Sequence, residues 1–394
     1  MAHGRPREFR RCLSVALSFI LALWVLPLEV HASPLAETPP PYLSCEAAIL
    51  MEWQSGTILA QHNAFRRMYP ASITKMMTAL LALENGRLEA NVEVSPEAAD
   101  QPGSSMHLSA GDVFTLQDLL YGLMLNSGND AAWAIAEHIG GDAETFFDMM
   151  NRRASEIGAI NTRYRNPHGL TDPNHYTTAF DLALIARTCL RHPYFRHLVA
   201  TKEKDVLDAS EETKLQLANT NRLLWVYLGA DGVKTGTTES AGQCLVASAT
   251  RDGMRLLAVV LNSADRWSDA ARLLDYGFSN YRVEKALNAG EIVTTIPALG
   301  AVSGQVPLRC ATDLWGCVPK EGAGLSINLE VPDYVRAPCP AGATLGRAIL
   351  ELGDEPVGSA DLVAAKWVNR RTPAGDLVRA LGSAARRLIR LGVM

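Results

Sequence analysis

YPASITKMM, residues 69–77, places Ser72 two positions after a proline and Lys75 three residues further on. The apolar residues that follow recur with a period near 3.6 until Gly86, which predicts a helix. Residues three apart on a helix share a face, so the two side chains can meet, and the positive helix end favours a developing alkoxide at the serine. A buried lysine beside another cation has a lowered pKa and can act as a base. The stretch predicts a serine nucleophile with a lysine base, although this spacing alone is more often structural.

Two further motifs follow. In LNSGNDAA, residues 125–132, Ser127 and Asn129 lie in a break between two predicted helices. Helix capping is the simpler explanation of that pair on its own. KTGT, residues 234–237, is predicted to begin a strand on which the glycine lets a substrate backbone approach. Taken alone, it is equally compatible with a surface strand carrying a solvated lysine.

Taken in this order, the three motifs are the set named for class A β-lactamases and penicillin-binding proteins. With RMYPASITKMM, NSGNDAA, NPHGLTDPNHYTTAFDLALIA and GVKTGTTESAGQCLVASA, the chain resembles the low-molecular-mass D-alanyl-D-alanine carboxypeptidases of the penicillin-binding protein 5 and sporulation types. The resemblance implies the α/β (α+β) fold of β-lactamases and transpeptidases, an antiparallel sheet with a helical insertion. A small C-terminal β-rich domain and a terminal amphipathic helix are expected to follow.

The resemblance also implies the catalytic roles. Ser72 attacks the carbonyl of the penultimate D-alanine, Lys75 takes its proton, and Ser127 relays a proton to the departing D-alanine. The backbone N–H groups of Ser72 and Thr237 form the oxyanion hole. The expected substrate is a peptidoglycan stem peptide ending in D-Ala-D-Ala, and β-lactams are the expected covalent inhibitors.

The same resemblance implies the binding residues. Asn129 holds a substrate amide, Lys234 and Thr235 meet the terminal carboxylate, and Gly236 permits close approach. Some relatives use a further arginine after the Lys-Thr-Gly strand. Arg266 is the nearest candidate, but its register is uncertain, and it is left out of the predicted site. The NPHGL stretch, residues 166–170, is expected to frame the rim.

No cofactor, metal or nucleic-acid partner is expected. A net charge of −5 provides no basic field for nucleic acid. The nine histidines show no H-E-x-x-H arrangement that would indicate a zinc site. Two other functions stay open: a β-lactamase of the same fold and a catalytically silent wall-binding scaffold. The β-lactamase is disfavoured because Glu156 and Asn161, in the region comparable to its Glu-x-x-x-Asn segment, are one residue too far apart, and because the chain carries an extra domain.

The chain ends suggest export. Residues 1–32 combine four arginines with an apolar run and resemble a secretory signal, with an uncleaved anchor as the alternative. Residues 33–42 form a proline-rich spacer, 43–281 the catalytic domain and 282–371 the β-rich domain. Residues 372–394 are amphipathic and predict a helix on the membrane surface, or one packed on its own domain. The expected location is the outer face of the cytoplasmic membrane, in the periplasm or cell-wall space.

The cysteines give a weaker prediction. Export permits disulfides, and one bridge is expected among Cys310, Cys317 and Cys339. Three further cysteines are expected to be ordinary buried residues: Cys45, Cys189 and Cys244.

Overall fold

The computed structural model of the chain describes residues 39–208, 214–321 and 324–372, together with Ala374 and Leu381. The predicted signal segment, residues 1–32, lies outside this part of the chain, as does almost all of the predicted helix at 372–394. Among the described residues, none of the helices has the length and apolar character needed to cross a membrane.

Strands occur at both ends of the catalytic region and throughout the C-terminal region. The strands are β1 (Cys45–Glu52), β2 (Ile58–His62), β3 (Asn91–Glu93), β4 (Val113–Thr115), β5 (Glu203–Leu207), β6 (Lys214–Ala218), β7 (Ala230–Thr238), β8 (Gly242–Arg251), β9 (Met254–Ser263), β10 (Tyr281–Leu287), β11 (Ile292–Leu299), β12 (Gln305–Cys310), β13 (Leu314–Pro319), β14 (Leu325–Glu330), β15 (Val335–Arg336), β16 (Thr344–Leu352) and β17 (Glu355–Ala364).

The helices lie mainly between the two groups of strands of the catalytic region. The α-helices are α1 (Lys75–Asn85), α2 (Pro96–Ala99), α3 (Leu116–Tyr121), α4 (Asn129–Gly140), α5 (Ala143–Ile157), α6 (Ala179–Cys189), α7 (Pro193–Ala200), α8 (Leu223–Val226) and α9 (Arg266–Asn280). A 3₁₀ turn at Ala71–Thr74 precedes α1, and a π-helical turn at Gly122–Asn126 follows α3.

The catalytic sheet is antiparallel with the order β2-β1-β9-β8-β7, so its strands come from both ends of the region. The turn residues Gln54-Ser55-Gly56 and Arg251-Asp252-Gly253 predict hairpins at β1–β2 and β8–β9, and both are present. In the β8–β9 turn, Asp252 and Gly253 have φ of 48° and 79°, a conformation that asparagine, aspartate and glycine tolerate best. The expected antiparallel sheet with a helical insertion is confirmed.

Both faces of this sheet are buried. Ala47, Ile49 and Met51 of β1 face the core formed with the helical insertion. Ala48 and Leu50 alternate with them and face the core that includes α9 and the C-terminal strands. Since burying apolar area contributes roughly 25 cal/mol per Å², this internal strand, buried on both faces, contributes strongly to stability. It therefore gives the active-site elements a rigid support.

The C-terminal region is β-rich, as expected. β10 pairs with β13, and a six-stranded sheet has the order β14-β16-β17-β12-β11-β15. This region contacts the catalytic sheet through the β1–β2 turn, where Thr57 Oγ1 donates to the Val357 carbonyl at 3.0 Å.

The predicted disulfide among the late cysteines is wrong, since all three thiols are free and buried. Cys310 lies on β12, which pairs with β11 and β17, whereas Cys317 lies on β13, which pairs with β10. The backbone of Cys339 pairs with that of Val368 through two hydrogen bonds. The strand pairing directs each thiol into the apolar core, where cysteine packs as a small hydrophobic residue.

Candidate active site

Ser72 lies in the 3₁₀ turn immediately before α1, whereas the sequence predicted it within the helix itself. Its side chain is partly exposed, while Ala71 and Ile73 on either side are buried. Ala71 has a φ of 49°, an unfavourable region for a residue with a Cβ, which indicates a tightly held turn. The turn therefore presents one hydroxyl at the surface of a rigid element.

Gly169 packs directly against the backbone of this turn. It has a φ of 94°, and a Cβ built on it would lie 1.8 Å from the Ala71 carbonyl oxygen. Only glycine permits so close an approach. The Asn166 side chain accepts from the Gly169 N–H at 2.7 Å and donates to the Leu170 carbonyl at 2.9 Å, which fixes the loop.

Lys75 is completely buried at the start of α1 and its ammonium group has three partners. Nζ lies 3.0 Å from Ser72 Oγ, 2.7 Å from Asn129 Oδ1 and 2.8 Å from the carbonyl oxygen of His168. These three acceptors come from residues up to 93 positions away in the chain. They fix the amine within proton-transfer distance of the serine hydroxyl.

The environment of Lys75 favours its neutral form. Burial lowers the pKa of its amine well below 10.5, and the positive charge of Lys234 lowers it further, while Asp130 opposes the shift. Desolvation and a like charge both disfavour a second cation in this space. Lys75 is thus an amine whose surroundings favour the unprotonated form that a general base needs.

Ser127 and Asn129 flank the junction between the π-helical turn and α4. Ser127 is the residue after that turn and has a left-handed backbone, with φ and ψ of 64° and 32°. Asn129 is the first residue of α4, and besides accepting from Lys75 it donates through Nδ2 to the Pro102 carbonyl. Its side chain is therefore held at both ends, and the capping explanation does not account for its contact with Lys75.

The KTGT motif lies within β7, where Lys234 is at the middle of the strand and not at its start. Lys234 is 1% exposed, and its Nζ has no hydrogen-bond partner among the described residues. Burial, with a contribution from the nearby Arg266, lowers the pKa of Lys234 to about 7. The Thr235 hydroxyl lies 2.7 Å from that of Thr220.

Gly236 brings β7 against the serine turn. A Cβ at this position would lie 3.0 Å from the Pro70 carbonyl oxygen and 3.1 Å from Ala71 Cβ, so the strand and the turn are in close contact. The next residue, Thr237, is exposed. The structure thus joins Ser72, Lys75 and Asn129 by hydrogen bonds and places Gly236 of β7 against the serine turn.

Two matches to family models cover most of the chain. Residues 34–265 match a family described as D-alanyl-D-alanine carboxypeptidase, peptidase S11. Residues 281–370 match the penicillin-binding protein 5 C-terminal domain.

The chain belongs to the peptidase S11 family.

Three relatives place this S11 peptidase within its family. It is 32% identical over 384 residues to the D-alanyl-D-alanine carboxypeptidase DacF of Bacillus subtilis, an alignment that covers 95% of this chain and 98% of that protein. Its fold matches penicillin-binding protein 5 of Haemophilus influenzae with a TM-score of 0.74 and 32% identity, over 84% and 100% of the two chains. A Streptomyces K15 DD-transpeptidase matches with a TM-score of 0.59 and 35% identity, over 61% and 99%.

Arg266, which was left out of the predicted site, lies at its edge in this S11 peptidase. It is the first residue of α9, and its Nη1 donates to the Gly236 carbonyl at 2.9 Å and to Thr237 Oγ1 at 2.8 Å. Its Nε is buried and has no hydrogen-bond partner among the described residues. The sequence shows only that an arginine follows the last strand of the sheet. It could not place the guanidinium against β7, because that contact depends on how α9 packs.

His168 was expected at the rim, but its backbone is central, since its carbonyl accepts from Lys75. Its imidazole lies 3.1 Å from Gln101 Oε1 and stacks on Trp133. Burial, followed by the charge of Lys75, lowers the pKa of the imidazole to about 3, so the ring is neutral. Every residue has a backbone carbonyl, so the residue type at position 168 could not indicate this contact.

Proposed function

We propose that this S11 peptidase is a serine D-Ala-D-Ala carboxypeptidase that removes the terminal D-alanine from peptidoglycan stem pentapeptides through an acyl-enzyme. The observation that carries the proposal is the 3.0 Å contact between Lys75 Nζ and Ser72 Oγ, made by an amine whose pKa lies well below its usual value. Family membership and the name of the Bacillus subtilis relative support the same activity.

In the acylation step, Ser72 Oγ attacks the carbonyl carbon of the penultimate D-alanine as Lys75 takes the hydroxyl proton. Negative charge develops on the carbonyl oxygen, and the backbone N–H groups of Ser72 and Thr237 stabilise it. Removing one such donor from an oxyanion hole costs on the order of 3 kcal/mol of transition-state stabilisation.

Collapse of the tetrahedral intermediate breaks the peptide bond and requires a proton on the leaving amine. We assign the relay to Ser127, which passes the proton from Lys75 to the nitrogen of D-alanine. The ester on Ser72 is then attacked by water, with Lys75 accepting the water proton, and the hydroxyl is restored. Since the same groups serve both halves of the reaction, no cofactor is invoked.

Substrate binding is assigned to the groups around β7. The buried, unpartnered ammonium of Lys234 offers a charge to the terminal carboxylate, and the Thr235 hydroxyl offers a hydrogen bond. Arg266, whose guanidinium reaches Thr237, supplies a second cation near the same strand. Asn129 holds the peptide amide while its oxygen orients Lys75. Gly236 keeps the strand close to the nucleophile.

Incubation with a fluorescent penicillin and, separately, with a pentapeptide ending in D-Ala-D-Ala tests the proposal. We expect a long-lived covalent label and released D-alanine, both lost in Ser72→Ala and kept in the matched surface variant Ser326→Ala. Rapid turnover of the penicillin favours a β-lactamase. Absence of any label favours a silent scaffold, and either result contradicts the proposal.

We also propose that residues 1–32 direct export and that residues 33–42 link this segment to a catalytic domain at 43–281. A β-rich domain at 282–371 and a membrane-surface helix at 372–394 complete the chain. The two family matches, at 34–265 and 281–370, support the division near residue 281. N-terminal sequencing of the exported protein tests cleavage after Ala32. Truncation after Arg371 followed by cell fractionation tests the helix, and a truncated protein that stays with the membrane as completely as the full chain contradicts it.

A further inference from the structure

One end of the β-rich domain carries apolar side chains and cations together. We define the tail-proximal face as residues 299–304, 334–336 and 366–372. Three backbone contacts join its segments: Leu299 pairs with Arg336, Ala301 bridges Arg370, and the Arg371 N–H donates to the Gly300 carbonyl at 2.6 Å. The segments therefore form one continuous surface.

The apolar residues of this face are unusually exposed for their size. Trp367 is 55% exposed, Leu299 47% and Val302 44%. Trp367 and Val302 line the same cavity, of about 350 Å³, which reaches Thr372. The indole N–H donates to Asn369 Oδ1 at 3.0 Å, so the ring is held in position at the surface. An exposed, oriented tryptophan is typical of groups that enter a membrane interface.

The charge of the face has a single sign. It contains Arg336, Lys366, Arg370 and Arg371 and has no aspartate or glutamate, the nearest being Asp333 at its margin. The whole chain has a net charge of −5, so this concentration of cations is local. Lysine and arginine beside an exposed tryptophan match the negative surface of a bilayer that contains anionic lipids.

The position of the face in the chain supplies a third argument. Residue 372 is where the described β-rich domain ends and the amphipathic segment 372–394 begins. A helix that binds a membrane from residue 372 onward would bring this end of the domain close to the lipid surface. The face and the segment then meet the same plane.

We propose that the tail-proximal face is itself a membrane-binding surface that seats the β-rich domain on anionic lipid. Trp367 enters the interface and the cations contact lipid phosphates. The domain is thereby held in a fixed orientation on the lipid surface. This inference goes beyond the proposed carboxypeptidase activity and does not depend on it.

The contact is tested on the exported chain with residues 372–394, the tail, present. Quenching of tryptophan fluorescence is measured with phosphatidylglycerol vesicles whose acyl chains are brominated. Residues 372–394 contain no tryptophan, so quenching cannot arise from the tail. Of the seven tryptophans, Trp24 leaves with the signal, and we expect loss of up to about one sixth of the emission. Trp367→Phe abolishes the quenching, whereas Trp225→Phe, at a 45% exposed site of the catalytic domain, leaves it unchanged.

The charges are tested by vesicle co-sedimentation. Lys366→Gln with Arg370→Gln should weaken binding to anionic vesicles about fivefold per cation. The matched variant Arg87→Gln, at an exposed cation of the catalytic domain, should bind like the wild type.

Full binding with no quenching of Trp367 overturns the proposal, since the tail alone then makes the contact or covers the face. Equal effects of the Arg87 variant and the double variant also overturn it. Because penicillin labelling in solution measures the proposed activity separately, neither result bears on the carboxypeptidase proposal.

Discussion

Replacing Gly169 by alanine tests whether the loop below the serine turn holds the catalytic geometry. The added Cβ would lie 1.8 Å from the Ala71 carbonyl oxygen and 2.9 Å from Thr74 Oγ1, so the backbone on one side must move. A strained left-handed residue costs about 1 kcal/mol. Overpacking of a close contact adds about 1–3 kcal/mol. We therefore expect a loss of roughly 2–4 kcal/mol in the free energy of unfolding of the catalytic domain.

Activity should fall as well, because the movement is next to the reacting groups. Ala71 adjoins Ser72, and His168, which adjoins Gly169, supplies the carbonyl 2.8 Å from Lys75 Nζ. A shift of about 1 Å in catalytic geometry costs on the order of 100-fold in rate. Acylation by a fluorescent penicillin, followed in time, measures this loss. Thermal unfolding measures the stability, with at least ~2 °C expected for each kcal/mol.

Gly111→Ala is the matched control for this change. Gly111 has nearly the same φ, 89°, but a Cβ there meets nothing within 4 Å. It should cost about 1 kcal/mol from backbone strain alone and leave acylation unchanged. Equal losses of stability in the two variants, or a Gly169→Ala enzyme that acylates at the wild-type rate, would refute the reasoning.

Four further predictions concern charges and thiols. Lys234→Gln removes a positive charge that lowers the pKa of Lys75, so that pKa should rise, and the acid limb of the acylation rate should move to higher pH; an unmoved limb contradicts the coupling. In the wild type, kcat/KM should fall as the pH rises past about 7, where Lys234 loses the charge that attracts a carboxylate, and a profile that stays flat across this pH contradicts that role. Arg266→Gln should raise the peptide KM about tenfold or more with a smaller change in kcat, and Arg266→Lys should recover part of the loss. A fall in kcat of that size with an unchanged KM argues against carboxylate binding. Alkylation of the unfolded, unreduced exported protein, from which Cys12 has been removed with the signal, should label six thiols, and fewer labels would indicate a disulfide.

The two lysines need opposite protonation states. The substrate is bound best when Lys234 is charged, and the nucleophile is activated only when Lys75 is neutral. Burial lowers the pKa of both amines, and a neighbouring cation lowers each further, Lys234 for Lys75 and Arg266 for Lys234. The enzyme should therefore be most active where Lys75 has lost its proton and Lys234 has kept its own.

The sequence by itself determined the elements that local rules govern. The 3.6 period after Ser72 predicted α1 and its end at Gly86, and the turn residues predicted the two hairpins. The three motifs, in their order, identified the family and named eight site residues before any contact was known. These features depend on residues close together in the chain, whose periodicity and turn chemistry can be read directly.

Only the tertiary structure decided the contacts between distant residues. Arg266 reaches β7 because α9 packs against the sheet, and the His168 carbonyl reaches Lys75 because Gly169 allows its loop to approach the serine turn. Strand pairing separated the cysteines that the sequence had joined. The lowered pKa of Lys75 depends on complete burial and on a cation 159 positions away. Contacts to backbone carbonyls, the burial of polar groups and the approach of distant residues leave no local pattern in the sequence. They form only when the sheet and the helices pack together.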